Sequence, residues 1–139
     1  MTPGQIDMVK DSWKKVIPIS EKAAKIFYAR LFELKPAFKS LFKHDMKDQG
    51  RKLMGAFTMV VNSLENLVDI IVPVQELGRR HTAYGVKDDD YETVGEALIW
   101  TLEKILGDSW TDELEDAWTE TYITLAGVMT DAAREVTTA

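Results

Sequence analysis

The sequence predicts an all-α protein with a single domain spanning residues 1–139. Three observations lead to this prediction. Apolar residues recur every three or four positions along most of the chain, which is the period of a helix with one buried face. No segment alternates polar and apolar residues in the manner of a half-buried strand. Proline and glycine residues separate the periodic segments, so we expect six main helices and one short helical turn.

The first two predicted helices have recognisable starts. Thr2, Pro3 and Gln5 match an N-cap, a first-turn proline and a capping box, and this helix is expected to run to about Ile17. Ser20 is expected to cap the second helix. The buried stripe of the second helix is expected to consist of Ala24, Phe27, Leu31 and Leu34.

The middle of the chain predicts a short turn, a loop and two helices. Pro36 ends the second helix and opens a turn through Phe42, and residues 43–48 are polar and expected to form a loop. A helix is expected from about Gln49 to Leu67, and a shorter one from Pro73 to near Gly85. The buried stripe of the longer helix is expected to be Leu53, Phe57, Val60 and Leu64.

Two long helices are predicted in the last third of the chain. One is expected from about Tyr91 to Leu106, directly after three consecutive aspartates at residues 88–90. Thr111 is expected to cap the other, with acidic residues in its first turn where they oppose the positive end of the helix dipole. The two buried stripes are expected to be Val94, Leu98, Leu102 and Ile105, and then Leu114, Trp118, Tyr122, Leu125 and Met129.

The composition excludes several classes of function. Seventeen basic and 23 acidic residues give a net charge of −6, which disfavours nucleic acid and anionic membranes as partners. The chain has no cysteine, which excludes disulfides, zinc ribbons, iron–sulfur clusters and covalently attached haem. The longest apolar stretch, residues 67–74, is interrupted and too short to span a membrane, and the N-terminus lacks a signal-peptide core. We therefore expect a cytoplasmic protein.

His81 is the most informative ionisable residue because it shares a helical face with Leu77. A histidine on an apolar helix face suits axial ligation of a haem iron, but it is also typical of a surface histidine or of one satisfied inside a core. Its neighbourhood favours a pocket. Tyr28 flanks the buried stripe of the second helix, Gln49 shares a face with Leu53, and Phe42 closes the turn between these two helices.

In its motifs the chain resembles the globins, specifically the bacterial single-domain globins and the globin domains of flavohaemoglobins. The resemblance extends from about Gln5 to Asp131, with the motifs in the family's order and spacing. Those motifs are the segment 27–32 before Pro36, Leu41-Phe42, Gln49 with 51–53, the segment 77–81, the segment 91–95, and Ala117-Trp118 with Tyr122.

The resemblance implies a globin fold around a pocket for non-covalent haem b, with His81 as the proximal iron ligand. It also implies that Tyr28, Gln49 and Leu53 lie on the distal side, where small ligands bind. Ala24 and Gly50 match small residues at which two helices of the family cross closely. The implied haem contacts are Phe42, Leu53, Phe57, Leu77, Arg80, Val86, Tyr91 and Val94.

The sequence departs from the flavohaemoglobin pattern in two respects. Ala133 stands where the family has a glutamate in the proximal network, while Asp131 and Glu135 lie two residues to either side. This departure puts a strong electron donation by the proximal histidine in doubt. No flavin or nicotinamide domain is present in the 139 residues, so any catalysis that consumes electrons is expected to need a separate reductase.

The function implied by the resemblance is binding of oxygen, nitric oxide, carbon monoxide or another diatomic ligand. Two distal hydrogen-bond donors predict tight oxygen binding with slow release, which favours ligand scavenging or nitric oxide detoxification. Nitric oxide dioxygenation with an external reductase is the enzymatic form of this hypothesis. Oxygen storage or transport is an alternative without catalysis, and so is a role as a haem-based sensor or interaction domain.

Overall fold

The computed structural model describes residues 1–42, 45–83 and 86–138, and within these ranges the chain forms helices and no strand. The α-helices are α1 (Pro3–Val16), α2 (Ser20–Leu34), α3 (Met46–Asn62), α4 (Ile71–Ala83), α5 (Asp88–Leu106) and α6 (Asp112–Thr138). Short 3-10 turns lie at Ile17–Ile19, Pro36–Leu41, Leu67–Ile70 and Gly107–Ser109. The prediction of six main helices is therefore confirmed.

Two of the predicted helix starts are confirmed and one is wrong. Thr2 and Gln5 form the capping box of α1, and the Thr111 hydroxyl accepts a hydrogen bond of 3.1 Å from the Leu114 amide at the start of α6. Ser20, however, is the first residue of α2 and does not cap it. Its backbone is already helical because the turn at Ile17–Ile19 leads directly into α2, whereas an N-cap residue needs an extended backbone.

Several helix bounds differ from the predicted ones. Helix α3 begins at Met46, where the Asp45 carboxylate accepts a hydrogen bond from the Lys47 amide, and it ends before the turn at Leu67–Ile70. Pro73 lies within α4 rather than at its start, which the first turn tolerates because its amides have no partner inside the helix. The three aspartates at 88–90 form the first turn of α5.

The predicted stripes form one core. Trp118 is fully buried at its centre and lies 5.6 Å from Trp13 between ring centroids. Its indole Nε1 donates a hydrogen bond of 2.8 Å to the Ser12 hydroxyl, which joins α6 to α1. The buried members of the predicted stripes are Ala24, Phe27, Leu31, Phe57, Val60, Leu64, Leu98, Leu102, Leu114, Trp118 and Met129.

Two close contacts between helices are made at glycines. Helices α2 and α3 cross at Ala24 and Gly50, where a Cβ on the glycine would lie 2.9 Å from the Ala24 Cβ. The expectation that small residues meet at this crossing is confirmed. At the contact of α4 with α6, a Cβ on Gly78 would lie 2.3 Å from the Met129 carbonyl oxygen. Glycine is therefore needed at both positions because the partner helix occupies the space of a side chain.

Among the helices in the described ranges, none has both the length and the apolar composition that a membrane span requires.

Candidate functional site

An aromatic cluster forms where α2 meets the turn at Pro36–Leu41. The Tyr28 ring lies 5.2 Å from Phe42 and 6.0 Å from Phe32 between centroids, and Phe32 lies 5.5 Å from Phe42. We call Tyr28, Phe32, Phe42 and Gln49 the Tyr28 cluster. Tyr28 is only 6% exposed, while the other three are partly exposed, so the cluster forms the edge of the core.

The Tyr28 hydroxyl is one of two polar groups in this cluster, and the Gln49 amide is the other. Burial raises the pKa of Tyr28 above its ordinary value of 10.0, and a side-chain hydrogen bond from Gln49 offsets part of that rise. Tyr28 is therefore a neutral phenol at physiological pH and can donate a hydrogen bond. Leu53 and Phe57 follow Gln49 along α3, and Leu53 is half-buried.

His81 lies in the last turn of α4 and is half-buried. Its Nδ1 lies 2.7 Å from the Leu77 carbonyl oxygen one turn earlier. A carbonyl only accepts hydrogen bonds, so Nδ1 carries the hydrogen and the lone pair of the ring is on Nε2. Burial lowers the pKa of His81 below its ordinary value of 6.5; the Leu77 carbonyl opposes this shift and the Arg80 charge adds to it. A neutral imidazole with a lone pair on Nε2 is the form that binds a metal ion.

The start of α5 is fixed by contacts on both of its sides. The Tyr122 hydroxyl donates a hydrogen bond of 2.6 Å to the Tyr91 carbonyl oxygen, and Tyr91 and Val94 both pack against the core. Burial, and then the neighbouring Tyr91, raise the pKa of Tyr122, so its hydroxyl stays protonated and keeps donating. The Val86 amide donates to the His81 carbonyl at 3.0 Å, which ties the residues before α5 to the end of α4.

The two groups of predicted site residues belong to separate packing units. Helix α3, with Gln49 and Leu53, packs on α2, whereas α4, with Leu77 and His81, packs chiefly on α6. Within the described residues α3 and α4 do not pack extensively on each other, although they follow one another in the chain. The predicted distal residues and His81 are therefore positioned by different helix pairs.

Some predicted residues lie at the margin of the site or outside the described residues. Arg80 is exposed, while the neighbouring Arg79 forms an ion pair with Glu76 at 2.7 Å. His44 lies outside the described residues, as do the side chains of Ala133 and Glu135.

Two features of the site were not predicted from the sequence. Phe32 was not assigned to the pocket, although its position four residues after Tyr28 on the same helical face indicated contact. The second feature is an ion pair between Lys35, which follows α2, and Asp90, which is 4% exposed in the first turn of α5. These residues are 55 positions apart, and no local pattern relates them.

Comparisons with known proteins identify the family. The model of the globin family matches residues 25–129, which is most of the chain. The chain belongs to the globin family. A bacterial globin from Campylobacter jejuni has the same fold, with a TM-score of 0.88 at 24% sequence identity, over 99% of this chain and 100% of that one.

The relatives of this globin include flavohaemoproteins. That of Vibrio cholerae is 30% identical over 125 residues, covering 85% of this chain and 32% of its own length. That of Rhizobium meliloti is 28% identical and covers 79% of this chain and 28% of its own length. The globin thus spans about a third of the length of these relatives. Membership of the family implies that the chain binds haem and a small gaseous ligand.

The residues present fit that cofactor. A haem iron needs a neutral imidazole on one axial side, and the tautomer and lowered pKa of His81 provide it. A haem also needs apolar walls with few polar groups. The half-buried side chains of Phe42, Leu53, Leu77 and Val94 are apolar groups of this kind at the edge of the core, and Phe42 contacts the Tyr28 ring.

Proposed function

We propose that this globin holds haem b with His81 as the axial ligand and binds oxygen tightly for ligand scavenging or nitric oxide detoxification. The observation that carries the cofactor assignment is the hydrogen bond from His81 Nδ1 to the Leu77 carbonyl oxygen. This bond fixes the ring orientation and the tautomer, as partners of metal-binding histidines do. The other proposed haem contacts are Phe42, Leu53, Phe57, Leu77, Arg80, Val86, Tyr91 and Val94.

The proposed preference for oxygen rests on Tyr28 and Gln49. When bound, the haem supplies a coordination position for the diatomic ligand and transfers electron density to it. Tyr28 stabilises the resulting negative charge because its buried phenol stays protonated and can donate a hydrogen bond. Such a bond to a charged group contributes ~1.5–3 kcal/mol, and each ~1.4 kcal/mol changes affinity tenfold. Tight binding and slow release follow, which suit scavenging better than delivery.

Nitric oxide dioxygenation is the enzymatic form of this proposal. One nitric oxide, one dioxygen and one electron give one nitrate, so atoms and charge balance only if a donor supplies an electron in each turnover. The similarity to flavohaemoproteins supports a flavin-containing reductase as that donor. The role of this chain is to hold dioxygen against Tyr28 until nitric oxide arrives.

Haemin titration tests the cofactor assignment. The purified chain should take up one equivalent of haemin and, once reduced, should show a carbon monoxide difference spectrum. His81→Ala should retain haem poorly while its far-ultraviolet circular dichroism is unchanged. His44→Ala, which removes the only other histidine, serves as the matched control and should behave as the parent protein. Failure of the parent protein to take up haemin would rule out the proposal.

Mixing the oxygen-loaded protein with nitric oxide tests the activity. We expect one nitrate for each haem in a single turnover, and repeated turnover only when an electron donor is added. A stable oxygen complex that yields no nitrate would favour oxygen storage or transport.

A further inference from the structure

A surface depression with a volume of about 680 Å³ lies between α5 and α6. We call it the α5/α6 cleft. Ile99, Tyr122 and Ala126 supply apolar surface, and the Tyr122 ring packs directly on Gly95, where a Cβ would lie 2.8 Å from a ring carbon. Ile123 lies on its α6 wall and is 58% exposed, which is unusual for a large aliphatic side chain.

The α5 wall of the cleft is acidic. Glu92, Glu96 and Glu103 line it, and all three are exposed. None of them forms an ion pair with a lysine or arginine in the part of the chain that the structure describes. Arg30 and Lys104 lie over the Trp100 ring instead. The Arg30 Cζ is 4.9 Å and the Lys104 Nζ 5.3 Å from the ring centroid.

The spacing of these glutamates defines where the basic residues of a bound helix would have to lie. They lie four and seven residues apart on one side of α5, so the first and last are about 16 Å apart along the helix axis. A helix lying along the cleft with lysines or arginines at the same spacing would face all three carboxylates. Its apolar face would cover Ile123 and Ile99 at the same time.

We propose that the α5/α6 cleft is the docking site of a basic amphipathic helix from another protein. Charge decides between this occupant and a second copy of the chain. A twofold dimer through the cleft would place the same patch on both sides of the interface, so the glutamates of the two copies would repel one another. A basic helix neutralises them. The proposal does not depend on the proposed function, because the cleft lies outside the haem-binding residues apart from Tyr91.

The test uses the full chain and a synthetic 18-residue helical peptide as the probe. The peptide has leucines along one face and three lysines spaced by four and seven residues. A second peptide with glutamate in place of these lysines is the control. Calorimetry should give saturable one-to-one binding of the basic peptide only, with and without haem. Amide shift changes should be confined to residues 92–103 and 119–130. Affinity should fall as salt rises, since the contact is exposed.

Matched variants distinguish binding of the peptide at the α5/α6 cleft from its general attraction to an acidic protein. Replacing Glu92, Glu96 and Glu103 by glutamine should weaken binding about tenfold, as the loss of three surface ion pairs requires. Replacing Asp7, Asp69 and Asp108 by asparagine removes the same charge elsewhere on the exposed surface and should change affinity less than twofold.

A second pair of variants tests the apolar contact. Ile123→Asp should weaken binding at least tenfold. Val68→Asp, at an apolar side chain that is 79% exposed and far from the cleft in sequence, should leave it unchanged. Equal weakening by both triple variants, shift changes outside the cleft, or no saturable binding would overturn the proposal. So would a dimer in sedimentation that Ile123→Asp dissociates, because the occupant would then be a second copy.

Discussion

Tyr28 combines a buried ring with a hydroxyl that the protein keeps protonated. Burial raises its pKa, and a hydrogen-bond contribution from Gln49 offsets part of that rise. The ring is held by Phe42 and Phe32. The proposed donor therefore belongs to a ring whose position is already fixed by packing, so ligand binding would not have to order that ring.

Tyr28→Phe tests this role because it deletes the hydroxyl and keeps the ring packing. We expect oxygen release to accelerate about tenfold or more, as the loss of one charge-assisted hydrogen bond predicts. Carbon monoxide carries less charge on its outer atom, so its release should change much less. Both rates can be measured by stopped-flow ligand displacement on the haem-loaded protein.

Gln49→Leu provides a comparison for the same rates. It should act in the same direction with a smaller effect. The double variant should fall short of the sum of the single effects if the two side chains donate to the same ligand atom. Equal acceleration of oxygen and carbon monoxide release by Tyr28→Phe would mean that the pocket had merely opened, and the argument for tight oxygen binding would fail.

Residues related by helical spacing were the ones that the sequence could identify. The Leu77 carbonyl lies within reach of His81 because residues four apart adjoin on a helix, and the Gln49–Leu53 face follows from the same rule. The ion pair of Lys35 with Asp90 does not follow from any such rule. It depends on how the end of α2 approaches the start of α5, which only the assembled fold determines.

At the scale of the elements, glycine determines how closely the helices approach. Gly78 faces the backbone of α6 at Met129, whereas Gly55 in α3 has no neighbouring atom within 4 Å of its hypothetical Cβ. The two glycines are thus a natural comparison between a position that needs glycine and a position that only tolerates it.

Gly78→Ala should destabilise the protein by about 1–3 kcal/mol, because backbone atoms of α6 must move to admit the methyl group. Gly55→Ala should stabilise it by about 0.5–1 kcal/mol through helix propensity alone. Urea unfolding followed by circular dichroism measures both. Stabilisation by Gly78→Ala would show that α4 and α6 are less closely packed than described.

Helix ends were harder to predict than helix faces. The buried stripes follow from apolar spacing, and their members are either buried or half-buried against the core. The composition around Ser20 predicts a cap, whereas the preceding turn makes its backbone helical. Pro73 was assigned as a helix start because proline fits the first turn, yet the helix begins two residues earlier. Such ends depend on how the preceding segment enters the helix, which local composition does not specify.

At the scale of the whole molecule, the first and last helices are joined through a buried hydrogen bond. Ser12 accepts from the Trp118 indole at 2.8 Å and donates to the Val9 carbonyl, and both side chains are buried. Ser12→Ala should cost about 1–2 kcal/mol of unfolding free energy, because it leaves the indole N–H without a partner. In a Trp118→Phe background, which lacks that N–H, the same substitution should be nearly neutral. An equal cost in both backgrounds would contradict this explanation.

The ion pair of Lys35 with Asp90 joins the two halves of the chain and is sensitive to acid. Burial raises the pKa of Asp90, but the Lys35 ammonium, the Lys87 amide and both lysine charges outweigh it, so the pKa lies below the ordinary value of 3.8. The ionised carboxylate therefore stabilises the fold above pH 3.8, and this contribution is lost as the pH falls below that value.

Asp90→Asn tests this contribution. It should lower the unfolding free energy by about 1–2 kcal/mol at neutral pH, a value reduced by the partial exposure of Lys35. The difference from the parent protein should shrink as the pH falls below 3.8. Urea unfolding over a series of pH values measures it. If the difference in unfolding free energy did not depend on pH, the side chain of Asp90 would stabilise the fold through its packing rather than through its charge.

The contact of Gly78 with Met129 limits how α4 can move beside the proposed iron ligand. Gly78 lies one helical turn before His81, and the backbone of α6 lies directly against it. Helix α4 therefore cannot slide toward α6 as a rigid rod. If His81 binds the haem iron as proposed, a displacement of its ring toward α6 would have to come from rotation of the side chain or from a pivot of α4 about this contact.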